Sequence, residues 1–159
     1  METKTNVMRI LDAHRVPYKS YSYVGTGAIN GGEVAAALGQ NPAQVFKTLV
    51  TVARSGRNYV FMLPVCMELD LKRAATAVGE KSIDMLKSRE LLGLTGYVHG
   101  GCSPIGMKKF FTTVIDSSAQ NFDTIIFSAG RIGYQVQVAV SDLAKIISVS
   151  FADVCVPQN

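Results

Sequence analysis

Val45-Phe46-Lys47-Thr48-Leu49-Val50-Thr51-Val52, then Ser55-Gly56-Arg57-Asn58, then Tyr59-Val60-Phe61-Met62-Leu63-Pro64-Val65, is the stretch that decides the fold class. Two runs rich in β-branched and aromatic residues flank a turn of Ser, Gly and Asn, which predicts a hairpin. Upstream, Val7, Met8, Ile10 and Leu11 place an apolar stripe on residues 3–14, and Pro17 stops the helix before Tyr18 to Tyr23 alternates as a strand. Gly25-Thr26-Gly27 breaks the chain, Glu33 to Leu38 reads as a short Ala-rich helix closed by Gly39, and Asn41-Pro42 opens a turn. Downstream, Leu69 to Val78 predicts a helix ending at Gly79, and Ser88 to Leu92 a second short one. Phe111 to Ile115, Thr124 to Phe127 and Tyr134 to Val140 are strand candidates, and Asp142 to Ile147 reads as a final helix with Ser141 as its N-cap. Helices and strands mixed without a strict βαβ rhythm predict an α+β fold on a mixed sheet, as a single domain over residues 1–159.

At 159 residues with 48% hydrophobic content, the chain is long and apolar enough to bury a core. Charged residues make up 18% and the net charge is +4, which argues against the dense basic surface of a general DNA binder and leaves room for a compact site that takes an RNA end. No apolar run is long enough to span a bilayer, and Met1-Glu2-Thr3-Lys4-Thr5 lacks the apolar core of a secretory signal, so a cytoplasmic protein that does not engage a membrane is expected. Cys66, Cys102 and Cys155 are odd in number, widely spaced and without a CxxC or His-rich pattern, so neither disulfides nor zinc are expected.

Four glycines, a proline and a lysine pair stand in Thr95-Gly96-Tyr97-Val98-His99-Gly100-Gly101-Cys102-Ser103-Pro104-Ile105-Gly106-Met107-Lys108-Lys109, the composition of a ligand loop. Glycine lets main-chain N–H groups approach a polar or anionic group closely, and the lysines would add positive charge near the opening. A turn-rich surface loop is the other reading. A Cys102/His99 dyad is conceivable, Ser103 lacks the GxSxG setting of an activated nucleophile, and the aspartates are scattered without a paired-carboxylate pattern. His14 reads as a helix-terminus residue.

Lys47 interrupts the apolar run 45–52 with a charge whose burial needs a partner. It is either a solvent-facing lysine on an edge strand or, sharing the parity of Leu49 and Thr51, a pocket residue able to hold a phosphate or polarise a carbonyl. Ser128-Ala129-Gly130 follows the apolar strand Ile125-Ile126-Phe127 and is either an ordinary connection or part of a site wall.

The order Pro42-Ala43-Gln44-Val45-Phe46-Lys47-Thr48-Leu49, Leu69-Asp70-Leu71-Lys72-Arg73, Gly101-Cys102-Ser103-Pro104-Ile105-Gly106-Met107-Lys108-Lys109, Thr124 to Gly130 and Asp142-Leu143-Ala144-Lys145-Ile146 resembles the YbaK family of free-standing aminoacyl-tRNA deacylases. That family is similar to the editing insertion domain of bacterial prolyl-tRNA synthetases. The resemblance implies a partial barrel surrounded by short helices, no cofactor and no metal. The implied substrate is the 3′ end of a mischarged aminoacyl-tRNA, foremost cysteine on tRNA(Pro), with prolyl-tRNA synthetase as a possible partner.

Carried over by position, the resemblance makes Lys47 the functional lysine, with Thr48 beside it. Gly100 and Pro104 fit the GxxxP loop that encloses Gly101, Cys102 and Ser103; Ser128 and Gly130 fit a small-residue turn beside the pocket; Tyr23 matches a pocket-lining tyrosine, with Tyr21 as its rival. The implied chemistry is attack by the substrate's own thiol on its ester carbonyl, or by a positioned water where alanine is removed. The uncharged segment Val24 to Ile29 departs from the charged or His/Asp-containing sequence of many relatives, and Cys102 replaces a common aliphatic residue. Two alternatives remain beside this reading: a non-catalytic module that holds a nucleotide or aminoacyl adenosine, and a hydrolase dependent on Cys102.

Overall fold

The computed structural model describes residues 3–158; Met1, Glu2 and Asn159 of the termini considered above lie outside them. Helix α1 (Asn6–Ala13) starts where the Thr5 hydroxyl accepts the Met8 N–H, and it buries Val7, Met8 and Leu11. His14 caps its C-terminal end, in the helix-terminus place the sequence indicated. β1 (Tyr18–Ser22) follows, then α2 (Gly31–Ala37), whose start is held by a reciprocal Asn30/Glu33 capping box.

β2 (Phe46–Ala53) and β3 (Asn58–Pro64) form the hairpin, with Lys47 opposite Leu63 and Val52 opposite Asn58. β6 (Thr112–Asp116) runs parallel to β3, β9 (Val149–Ala152) runs parallel to β6, and β5 (Ile83–Met85) is antiparallel to β2 at Thr51–Ala53. The resulting sheet, β5-β2-β3-β6-β9, is mixed. A second, antiparallel sheet has the order β1-β8-β7, with β7 at Thr124–Ser128 and β8 at Tyr134–Ala139. The two are stitched by a parallel bridge between Val45 and Ile126, where the Ile126 N–H donates to the Gln44 carbonyl at 3.0 Å.

α3 (Leu71–Val78) is capped by Asp70, which accepts the Lys72 and Arg73 N–H groups, and ends at Gly79 in the left-handed region, φ +72°. It covers one face of the larger sheet, packing Ala74 and Ala75 with Phe61, Leu63 and Ile83, while α1 covers the other side with Phe46, Met62 and Ile115. Burial on both faces explains why β3 reads as continuous apolar sequence instead of alternating. α4 (Ser88–Thr95) ends at Gly96 and leads into the glycine loop.

The C-terminal third corrects the sequence expectation. α5 occupies only Val140–Leu143, its N-cap is Ala139, and Ser141 lies inside it, so no helix runs from Asp142 to Ile147. Two strands follow it: β9, and β10 (Cys155–Pro157), which pairs with β4 (Met67–Leu69). β4, β5 and β10 have three residues each, too few to show a period, and exist because a partner strand supplies their hydrogen bonds. Asp116 anchors this end of the chain by accepting the Val154 N–H at 3.1 Å and the Ser118 N–H at 3.2 Å. Burial works to raise its pKa, but those hydrogen bonds outweigh it and hold the carboxyl below its ordinary value.

Candidate functional site

β3 flanks β2 along one edge, whereas the other edge is covered only at its ends. β5 pairs there with Thr51–Ala53, the Leu86 N–H donates to the Val50 carbonyl at 3.1 Å, and Val45 bridges Ile126. Between these points no strand pairs with residues 46–49 on that side among the described residues, so their outward main-chain groups have no strand partner. A cleft of about 1010 Å³ opens over this gap. Residues Ile29–Gly32 at the start of α2, Gly100 and Cys102 of the glycine loop, the end of β7 and the start of β8 line it. Its apolar rim includes Ile29, 85% exposed, and Ile132, 57% exposed.

Lys47 lines this cleft and is half-buried, which rules out the fully solvated edge-lysine reading. Among the described residues it makes no hydrogen bond or ion pair. Burial lowers its pKa, and Glu68 and then the Cys66 thiol offset this in part. An ammonium in that position is desolvated enough to act strongly on an anionic or carbonyl oxygen, and the carboxylate that acts on it, Glu68, forms no direct ion pair with it among the described residues. Next to it, the Thr48 hydroxyl oxygen is buried without a hydrogen-bond partner among the described residues. Tyr23, Gly100, Cys102 and Ser128 also line the cleft. Tyr21 does not; its hydroxyl donates to Gln137 Oε1 at 2.5 Å.

The rest of the anticipated set lies behind the wall. Ser103 is fully buried and its hydroxyl accepts the Ile105 N–H at 3.4 Å. Gly101 is buried where an added Cβ would stand 3.2 Å from the Ile132 nitrogen, so it permits close packing of two loops. Gly130 has φ +87° and backs onto Val7 and Tyr97. Pro104 is buried and borders a separate cavity of about 280 Å³ with Lys109 and Phe110. The lysine pair therefore does not flank the cleft, correcting the expectation of positive charge at its opening. Lys108 lies along Gly96, and Lys109 faces the other cavity, because the loop turns inward at Ile105, which is fully buried, before both lysines emerge.

Burial pushes the Cys102 thiol up to about 12, so it carries no thiolate near neutral pH, and packing against Val50 and Val60 makes it an apolar filler. Cys102→Ala should leave the rate of any reaction in the cleft within about twofold of wild type, while removing a small buried group costs on the order of 1 kcal/mol in urea unfolding. A thiol-dependent hydrolase would instead lose its activity. Among the described residues no group of three His, Cys, Asp or Glu side chains is placed to hold a metal ion, and no helix is long and apolar enough to cross a membrane.

Reasoning from sequence missed Gln135, Ile132 and Cys66, which also line the cleft. A signal for Gln135 existed, since Gln135 and Gln137 alternate with Val136 and Val138 and mark a polar face on β8.

The fold is α+β, and its cleft brings a strand edge together with a lysine that makes no ion pair among the described residues. The model of the aminoacyl-tRNA editing domain matches residues 31–146. EbsC of Enterococcus faecalis (strain ATCC 700802 / V583), provisionally named a Cys-tRNA(Pro)/Cys-tRNA(Cys) deacylase, is 41% identical over 96% of this chain and 94% of its own length. Two solved structures share the fold. One, provisionally described as a trans-editing enzyme for prolyl tRNA synthetase, has TM-score 0.81 at 21% identity, covering 99% of this chain and all (100%) of its own. The other, a hypothetical protein, has TM-score 0.85 at 21% identity, covering 94% of this chain and 99% of its own. The chain belongs to the aminoacyl-tRNA editing domain family.

Proposed function

We propose that this protein is a cytoplasmic trans-editing hydrolase, one module over residues 1–159, that cleaves the ester of a mischarged aminoacyl-tRNA, foremost cysteine on tRNA(Pro). The observation that carries the reading is Lys47, a half-buried ammonium without a hydrogen-bonding or ion-pair partner among the described residues, beside an open strand edge. The name and 41% identity of the Enterococcus protein favour cysteine as the amino acid removed. Tyr23, Thr48, Gly100, Cys102 and Ser128 line the surface against which the aminoacyl-adenosine end would lie. Gly101, Ser103, Pro104 and Gly130 contribute by fixing the shape of the two loops behind it.

In this mechanism the substrate's thiol sulfur attacks its own ester carbonyl, and a carbon–sulfur bond forms as the carbon–oxygen bond to the ribose breaks. The thiol proton ends on the departing ribose oxygen, and the cyclic thioester so released is opened by water to free cysteine. The protein's part is to hold sulfur and carbonyl within reach and to stabilise the charge that develops on the carbonyl oxygen, which suits Lys47 and the open main-chain groups of β2. Transfer RNA selectivity would come from prolyl-tRNA synthetase acting as partner, with weak binding to bare tRNA.

The test is release of labelled amino acid from cysteinyl-, alanyl- and prolyl-tRNA(Pro). Release from the cysteinyl form supports the reading, and release from alanyl-tRNA alone makes water the nucleophile. No release from any of them overturns the hydrolase and leaves a module that binds without turnover.

A further inference from the structure

Gln135 is buried, 5% exposed, yet lines the cleft. Its Oε1 accepts a hydrogen bond of 2.9 Å from Nε2 of Gln40, which follows α2, 95 residues away in sequence. Gln40 Oε1 is itself buried and has no partner among the described residues. The hydrogen-bond network favours the orientation in which Gln40 donates and Gln135 accepts. Turning both amides round would bury the Gln40 NH₂ with unmet donors in place of a single unmet acceptor, and each unmet buried group is costly. With Oε1 already accepting from Gln40, the NH₂ is the end of the Gln135 amide that makes no hydrogen bond to a described residue. Ser128 lies opposite Gln135 in the register of β7 and β8, which puts this donor beside the small-residue end of the cleft.

We infer that Gln135 is a ligand-binding residue that donates to an acceptor oxygen of the aminoacyl-adenosine end, its ester carbonyl or a ribose hydroxyl, and that Gln40 is the positioning residue that fixes which end of the Gln135 amide faces the cleft. The inference rests on the proposed function for the identity of the ligand. It also assigns a role to the unpartnered Gln40 oxygen: its strain is tolerated because the other end of the same amide holds the donor in place.

The experiment measures binding of a non-hydrolysable, amide-linked cysteinyl-adenosine by calorimetry, alongside steady-state deacylation. Gln135→Leu should weaken binding about tenfold, as for loss of one hydrogen bond. Gln40→Glu places an acceptor where Gln40 Nε2 donates, so the Gln135 amide turns round and presents its carbonyl; binding should fall at least as far. Because Gln40 acts through Gln135, Gln40→Glu should add nothing in the Gln135→Leu background, an outcome a merely structural role would not produce.

Wild-type affinity in both single variants, or additive losses in the double, overturns the inference. Should the wild type bind the analogue with this pattern yet fail to deacylate, the inference holds and the hydrolase falls. A wild type that neither binds nor deacylates overturns both.

Discussion

Lys47→Met lowers kcat/KM for deacylation about 100-fold or more and leaves the protein folded. The size follows from what the ammonium does: removing one preorganised group that stabilises developing charge in a partly water-excluded site costs on the order of 100- to 1,000-fold in rate. The side chain is half-buried with no hydrogen-bonding or ion-pair partner among the described residues, so its removal strands no buried carboxylate. Stability moves the other way. Burial holds the folded pKa below the ordinary 10.5, so folding disfavours the charged form. That cost is present below the folded pKa and fades as pH rises towards 10.5. Lys47→Met should therefore match or exceed the wild-type melting temperature at neutral pH, and the wild-type rate should fall at a lower pH than a solvated lysine would dictate. A variant that retains full activity would return Lys47 to the role of an edge residue.

Gly130→Ala should produce the largest loss of stability, about 3 kcal/mol in urea unfolding. Gly130 holds φ +87°, and an added Cβ would lie 2.9 Å from Val7 Cγ2 and 3.0 Å from Tyr97 Cε1. Left-handed backbone at a non-glycine residue and overpacking each cost on the order of 1–3 kcal/mol. Relief is hard to find. Val7 is fully buried in α1, and the Tyr97 hydroxyl is tied to the Ile105 carbonyl, so both neighbours are held. The Gly130 N–H also donates to the Ser128 hydroxyl at 3.1 Å, so straining this turn displaces a residue of the cleft wall. Activity should fall together with stability. Normal stability with lost binding would instead make Gly130 a direct ligand contact.

The two positions show how legible the site was. Lys47 could be singled out because a charge inside an apolar strand is visible one residue at a time, whereas its burial depends on a strand edge left open between β5 and the Val45–Ile126 bridge. The glycine loop announced a special backbone, and Gly100 has φ +88° at the cleft. Composition could not tell which of its members face a ligand. Ser103 and Pro104 follow Gly100 and Cys102 closely, yet the chain turns inward to bury Ile105, and the lysines that follow emerge away from the cleft.

By itself the sequence determined what local chemistry controls. The β2–β3 hairpin follows from two β-rich runs around a Gly-Arg-Asn turn, α3 from Asp70 and Gly79 at its ends, and the family from motifs spread along the chain. Only the tertiary structure decided the short strands β4, β5, β9 and β10, the gap along β2, and the meeting of Gln40 with Gln135. Each depends on groups brought together from distant parts of the chain, and three or four residues of strand have no conformational preference strong enough to exist before their partner arrives.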